Sequence, residues 1–265
     1  IMNNIDTNKF NMNLSCYLTK VYQNNIELGR VLFSASTRDK LLDISKLEAD
    51  MFKGRMRGTG SILLDPFTIN FVYALNSASI TDVAKILPEG YISTGGAISA
   101  SGMWSTNGNN INELLFNLYS KSNIITKDIE FSNISIDDFI DKTNDPSYNI
   151  INLENDIKQS LLTGKTMVSD MQSDLELSKG VFSLSTIKFK TKYASGVAAA
   201  TLNIYDFNIN MNTALSFLTT AGTVKGIGDY TPVKLTFTAI GHMFSPKKEA
   251  DTKELEQKIK DRDKR

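Results

Sequence analysis

Gly164, Lys165 and Thr166 spell the end of a phosphate-cradling loop, but that loop needs a glycine five residues before the Gly-Lys pair, where Gln159 stands. The residues preceding it read as helix, whereas such a loop follows a strand. Ser185 and Lys188 have the spacing of a serine acyl enzyme. In an alternating strand, an odd separation puts them on opposite faces, out of hydrogen-bonding reach. His242 is the single histidine, so a Ser-His-Asp triad would have to be built around it and a metal site finds no second imidazole. Beside Gly241 near a strand end, it reads as a surface or edge residue. Asp137, Asp138 and Asp141 share a polar helix face without the apolar setting that raises a carboxyl pKa. Trp104, the only tryptophan, could stack a sugar, although one tryptophan in a strand is more often a core residue. Titratable groups do not converge, so the expectation is a non-enzymatic protein with no cofactor, no metal and no catalytic residue.

Composition narrows the classes further. The 265 residues are 41% hydrophobic and 22% charged, ordinary for a folded chain. Twenty-nine basic residues balance 29 acidic ones, with no basic stripe in the β-patterned body. That excludes an electrostatic footprint for nucleic acid. No apolar run reaches the roughly 18 residues of a membrane span. Cys16 is the only cysteine, which excludes an internal disulfide. The chain begins at Ile1 and shows no signal peptide, so it is expected to be a piece of a longer protein.

One period dominates from Thr166 to Phe217. Leu175 and Leu177, Phe182 and Leu184, Ile187 and Phe189, Leu202 and Ile204, then Phe207, Ile209 and Met211 recur at every second residue among polar neighbours. This is the pattern of antiparallel strands with one apolar face. Breaks are expected at Ser178–Gly180, Ala194–Gly196 and Asp206. Earlier, Met12 to Leu18 alternates, Asn24-Asn25 and Arg38-Asp39 read as turns, and Leu42, Ile44 and Leu47 open a third strand. Gly54, Gly58 and Gly60 permit close backbone approach. Phe67, Ile69, Phe71, Tyr73 and Leu75 then line one strand face. Helices are expected after Thr81-Asp82, over Ile111–Leu118, after Ser135 and over Ile150–Leu162. A glycine-rich turn at Gly222–Gly228 precedes a strand carrying Val233, Leu235, Phe237 and Ala239. From Pro246 the chain has eight Lys or Arg, six Asp or Glu, and only Leu255 and Ile259 as sizeable apolar residues. It reads as a frayed helix or solvated tail.

Three segments resemble the AsmA family. Gly95–Asp141 has a strand, the helix NINELLFNL, a strand and the ISIDDFI helix; Leu161–Phe217 is similar to that family's C-terminal ladder of turn, small and apolar residues; Leu41–Leu75 resembles its repeating strand pattern. Ala200 in AAATLNIYDF replaces the glycine that usually opens the strand before the last ladder. The resemblance implies a bacterial envelope protein that supports outer-membrane assembly. Its β-rich bulk would lie in the periplasm, held to the inner membrane by an upstream anchor. Larger relatives resemble bridge-like lipid transfer proteins, with an apolar β surface for acyl chains.

The expected fold is β-rich α+β, a long curved antiparallel meander with a few short helices interleaved. Its expected parts are an N-terminal β block over 1–92 continuing an upstream sheet, an AsmA-like region over 93–245 and the charged tail over 246–265. The expected partner is phospholipid, with outer-membrane or envelope proteins beside it. The residues expected to form one continuous lipid-binding strip are Phe67, Ile69, Phe71, Tyr73, Phe182, Leu184, Phe189, Ile204, Ile209 and Met211. A large apolar face must be buried or offered to something apolar. One alternative is therefore a structural or adaptor module in which the helices at Ile111–Leu118 and Ile150–Leu162 close the sheet. A carbohydrate-binding domain led by Trp104 is another.

Overall fold

The computed structural model describes residues 11–23, 26–85, 92–219 and 231–263. The turns at Asn24-Asn25 and Gly222–Gly228 lie outside them. The described strands are β1 (Met12–Leu18), β2 (Val21–Gln23), β3 (Ile26–Arg38), β4 (Leu41–Met51), β5 (Gly54–Leu64), β6 (Phe67–Ser79), β7 (Ile92–Thr94) and β8 (Ala97–Asn107). They continue with β9 (Tyr119–Ser132), β10 (Lys165–Ser178), β11 (Val181–Lys190), β12 (Ala194–Asn203), β13 (Asn208–Thr219), β14 (Thr231–His242) and β15 (Lys247–Asp251). All belong to one unclosed antiparallel sheet in the order β1-β3-β4-β5-β6-β8-β9-β10-β11-β12-β13-β14-β15, with β2 against β3 and β7 against β9. The fold is thus β-rich with short helices, as the alternation requires. The helices are α1 (Ile80–Ala84), α2 (Ile111–Phe116), α3 (Ile136–Asn144), α4 (Leu153–Ser160) and α5 (Lys253–Asp263). Among the described residues no helix is long and apolar enough to cross a membrane.

Short hairpin turns set the meander. Asp39-Lys40, Phe52-Lys53 and Lys179-Gly180 each place two successive residues at positive φ. That is the geometry whose twist matches antiparallel strands joined by two residues. One expected break moves, while those at Ser178–Gly180 and Asp206 fall as expected. Ala194 and Gly196 lie inside β12, and the turn falls on Thr191–Tyr193. There Asp137 Oδ1 accepts from the Thr191 hydroxyl at 2.6 Å and the Tyr193 N–H at 3.1 Å. Gly196 is small because the Phe189 ring occupies the space a Cβ would need. Ile204 leaves the alternation too: β12 ends at Asn203, whose Oδ1 accepts the Tyr205 N–H at 2.9 Å and bends the chain into a turn.

The chain divides into two compact units. The first comprises Ile1–Ile86, Ala97–Ile124 and Asp174–Phe182; the second comprises Leu87–Gly96, Ile125–Ser173 and Ser183–Arg265. In the second unit, register fixes which side chains share a face. Leu215 pairs with Gly196 and Leu235, and Phe217 with Ala194 and Val233. Leu215, Phe217, Val233, Leu235 and Phe237 are buried beneath Ile136, Phe139 and Ile140 of α3, Leu153 and Ile157 of α4, and Leu255 and Ile259 of α5. This is an ordinary two-layer core, helices on one sheet face.

The C-terminal segment is the largest departure from the sequence reading. Instead of a solvated tail it forms β15, paired with β14, and then α5, whose Leu255 and Ile259 are both 0% exposed. Two apolar residues four apart suffice because their flanks are tied down by polar contacts. Arg262 donates to the backbone carbonyls of Asp145 and Tyr148, and Lys248 Nζ donates to the Leu161 carbonyl at 2.7 Å. Burial pushes the Lys248 ammonium below its ordinary pKa.

Candidate functional site

The first unit is built differently. Residues paired across a ladder share a face of the pleat, so register extends one face from strand to strand. From β6, Phe67, Ile69, Phe71, Tyr73 and Leu75 sit opposite Leu64, Ile62, Gly60, Gly58 and Met56 of β5. Those continue to Leu42, Ile44, Leu47, Ala49 and Met51 of β4, because a register shift between Ile44 and Leu47 absorbs one extra residue. Beyond lie Val31, Phe33, Ala35 and Thr37 of β3, then Met12, Leu14, Cys16 and Leu18 of β1. On the other side, Phe71 faces Trp104 and Tyr73 faces Gly102 of β8. Across these six strands the described residues of the face include no charged side chain.

Charge is gathered on the opposite face. Glu48 meets Arg57 and Lys46, each at 3.7 Å, and Asp50 meets Arg55 at 3.4 Å and Arg30 at 3.7 Å. Two solvent-open depressions of about 320 and about 300 Å³ are lined on that side by Lys46, Glu48, Arg57 and Thr59, and by Asp43, Thr59, Ser61 and Asn70. Val72 lines both and Met103 the second, so this side is not purely polar.

Aromatic side chains organise the apolar face. The Phe71 ring lies over Gly58 and Gly60, filling the space where their Cβ atoms would sit. Its neighbour Trp104 stands 5.7 Å away, ring to ring, tilted by 39°. Tyr73 reaches across Gly102 to hydrogen-bond Ser122 Oγ at 2.8 Å. Rings laid over backbone glycines pin the register of a sheet. Among the described residues of β1, β3, β4, β5, β6 and β8, only alanines are buried apolar residues: Ala35, Ala49 and Ala78. The large side chains between them remain half-buried or exposed. No described helix covers them. α1 buries only Ile80, and α2 buries none of its residues.

The ten residues expected to form a continuous strip are therefore not brought together as one. Phe67, Ile69, Phe71 and Tyr73 lie side by side on the uncovered face of the first unit. Phe182, also in that unit, is half-buried on β11, and Leu184, half-buried, belongs to the second. Phe189 packs against the helix-covered core. Ile209 and Met211 share the β13 face with buried Leu215 and Phe217, and Ile204 is in a turn. Sequence reasoning missed Phe33, Ile44, Leu47, Ile62 and Trp104 as members of the face. The extra residue in β4 broke the parity between Ile44 and Leu47, while Ile62 and Trp104 join the face through strand pairing that side-chain period does not specify.

The other candidates have structural uses. Lys165 Nζ pairs with Glu130 at 2.7 Å, and Thr166 Oγ1 accepts the Ile136 N–H at 2.9 Å while donating to the Ile134 carbonyl at 2.8 Å. Ser185 and Lys188 are exposed. His242 is exposed between the rings of Phe207 and Phe244. Among the described residues no three His, Cys, Asp or Glu side chains cluster as metal ligands.

Comparison with known proteins returns no relative. No family model matches the chain, no curated protein matches it, and no solved structure matches it. The site must be read from its own geometry.

Proposed function

We propose that the apolar face of the first unit holds the hydrocarbon chains of lipids. One observation carries the reading: among the described residues, a charge-free face six strands wide has no helix over it, in a chain that seals the corresponding kind of surface elsewhere with helices. Contiguous apolar patches beyond a few hundred Å² mark interaction sites, because water at such a surface is costly. The surface is broad and, among the described residues, carries no charged side chain, which suits a flexible hydrocarbon chain better than a polar solute. At about 0.8 kcal/mol per buried CH₂, even a partly laid-down acyl chain gains several kcal/mol. Trp104 and Phe71 are lipid contacts in this reading, not a sugar platform.

The scope is narrower than a lipid path along the whole meander. The second unit acts as a scaffold with a closed core. The cellular setting, a periplasmic protein of a bacterial envelope with an upstream inner-membrane anchor and a role in outer-membrane assembly, rests on the AsmA resemblance. Protease accessibility in intact and permeabilised spheroplasts tests it.

The lipid reading is tested with fluorescent phospholipid presented in monomeric form. Wild-type protein should capture it, Ile69→Asp and Ile44→Asp should lose about tenfold or more in affinity, and Asn70→Asp on the opposite face should bind normally. No capture by wild type, or equal capture by all four proteins, removes the proposal.

A further inference from the structure

The unclosed sheet ends in β1 on one side and β15 on the other. An edge strand's unpaired N–H and C=O groups are a template for another strand, and native sheets blunt such edges with short strands, lysines or prolines. β15 is blunted. Its five residues are KKEAD, with Lys247 paired to Glu249 at 2.6 Å and Lys248 Nζ held by the Leu161 carbonyl. β1 is not. Its seven residues, MNLSCYL, include no charge, proline or glycine, and they pair with β3 without a register shift. Among the described residues no strand lies on its outer side.

The pairing fixes which backbone groups point outward. The two-residue turn at Asp39-Lys40 makes Arg38 and Leu41 a hydrogen-bonded pair, so Arg38 and every second residue before it turn towards β4. Accordingly, the Ser34 carbonyl accepts the Ser45 hydroxyl of β4 at 3.3 Å. The intervening residues of β3, Val31 to Thr37, turn towards β1 and meet Met12, Leu14, Cys16 and Leu18. Met12 N–H reaches Thr37 Oγ1 at 3.1 Å on that side. Alternation leaves the N–H and C=O groups of Asn13, Ser15 and Tyr17 on the outer edge.

We infer that β1 pairs with the β1 of a second copy of this chain, antiparallel and centred on Ser15. The segment reads alike in both directions, apolar at Met12, Leu14, Cys16 and Leu18, so a two-fold axis through Ser15 matches it to itself. Met12 then faces Leu18, Leu14 faces Cys16 and Asn13 faces Tyr17. The outward groups fall opposite one another and form about six backbone hydrogen bonds. Exposed Met12, Leu14 and Leu18 gain cross-strand neighbours, and no like charges meet. The axis passes through the plane of the sheet, so the two apolar faces lie on the same side. The interface is small, which makes the dimer weak and dependent on concentration. This inference rests on the sheet edge and is independent of the lipid reading.

The test is sedimentation velocity of the full chain, with Cys16 kept reduced, over a series reaching about 100 μM, where weak interfaces associate. Wild type should pass from monomer to dimer. Ser15→Pro removes an outward N–H from each copy, leaves the ladder to β3 in place and should weaken the dimer about tenfold or more. Because it also gives up the contact between the Ser15 and Ser34 hydroxyls at 3.4 Å, a charge pair checks it. Asn13→Lys with Tyr17→Lys sets like charges opposite each other and should weaken the dimer about tenfold, while Asn13→Lys with Tyr17→Glu should restore it. Capture of monomeric phospholipid by these variants should equal that of wild type, whatever its value, so the two readings fail separately. A chain that stays monomeric throughout the series overturns the inference. So does a dimer indifferent to Ser15→Pro and to the lysine pair, or one that the glutamate variant does not restore.

Discussion

Two regions of one chain treat the same kind of strand in opposite ways. In the second unit the apolar side of β12 to β14 lies beneath three helices, and Val233 and Leu235 are fully buried. In the first unit no described helix lies over the apolar side of six strands, and large side chains such as Phe71, Ile62 and Leu47 remain half-buried. Both regions lay an aromatic ring over glycine, Phe189 on Gly196 and Phe71 on Gly58 and Gly60, so the strand-level device is shared. The lesson is that local pattern makes a face, while its use depends on what arrives to cover it.

The comparison breaks most visibly if truncation costs are equal. Phe139→Ala should lose about 3–5 kcal/mol in denaturant unfolding, because it opens a cavity in a packed core. Phe71→Ala, on the uncovered face, should lose about 1–2 kcal/mol, since part of the ring already meets water. Equal losses would mean that the first unit is covered in solution. Next in size, Leu255→Ala should cost about 2–4 kcal/mol by the same cavity mechanism. A change within about 0.5 kcal/mol, typical of surface substitutions, would restore the solvated tail. Gly196→Ala should cost about 1–3 kcal/mol, because the added Cβ meets the Phe189 ring, itself packed against the core.

The smallest effect concerns α1 of the first unit. Lys85 at 2.6 Å and then Lys53 at 3.1 Å hold the Asp82 carboxyl down to about 2. A depressed carboxyl contributes fully above its unfolded pKa, near 4, and its contribution is lost as pH falls through about 2. Asp82 should therefore titrate by NMR near pH 2, and Lys85→Ala should move the midpoint upward. An unmoved midpoint would show that the ion pairs are not made in solution.

Much of the fold was legible because alternation is local. The strands carrying Phe67–Leu75, Leu175 and Leu177, Phe182 and Leu184, and Val233–Ala239 were read directly from side-chain period, and the helix after Ser135 from its spacing, although Ser135 makes no side-chain cap bond. The site was legible only in part. Phe67, Ile69, Phe71 and Tyr73 were found on β6. Ile44 and Leu47 were read as strand residues, but that they share the β6 face was hidden by one extra residue at Ser45-Lys46, which reverses parity and is set by backbone pairing. Ile204 was misread because Asn203 bends the chain through a side-chain hydrogen bond that period alone does not reveal.

The sequence by itself determined that this chain makes strands with one apolar and one polar side, and that charge stays off the apolar side. Those facts reside in the order of neighbouring residues. Only the tertiary structure decided which apolar side is closed. Closure of the second unit is made by α3, α4 and α5 returning from elsewhere in the chain onto β13 and β14. Burial is a property of distant segments meeting, and an isolated strand carries no record of whether one will come.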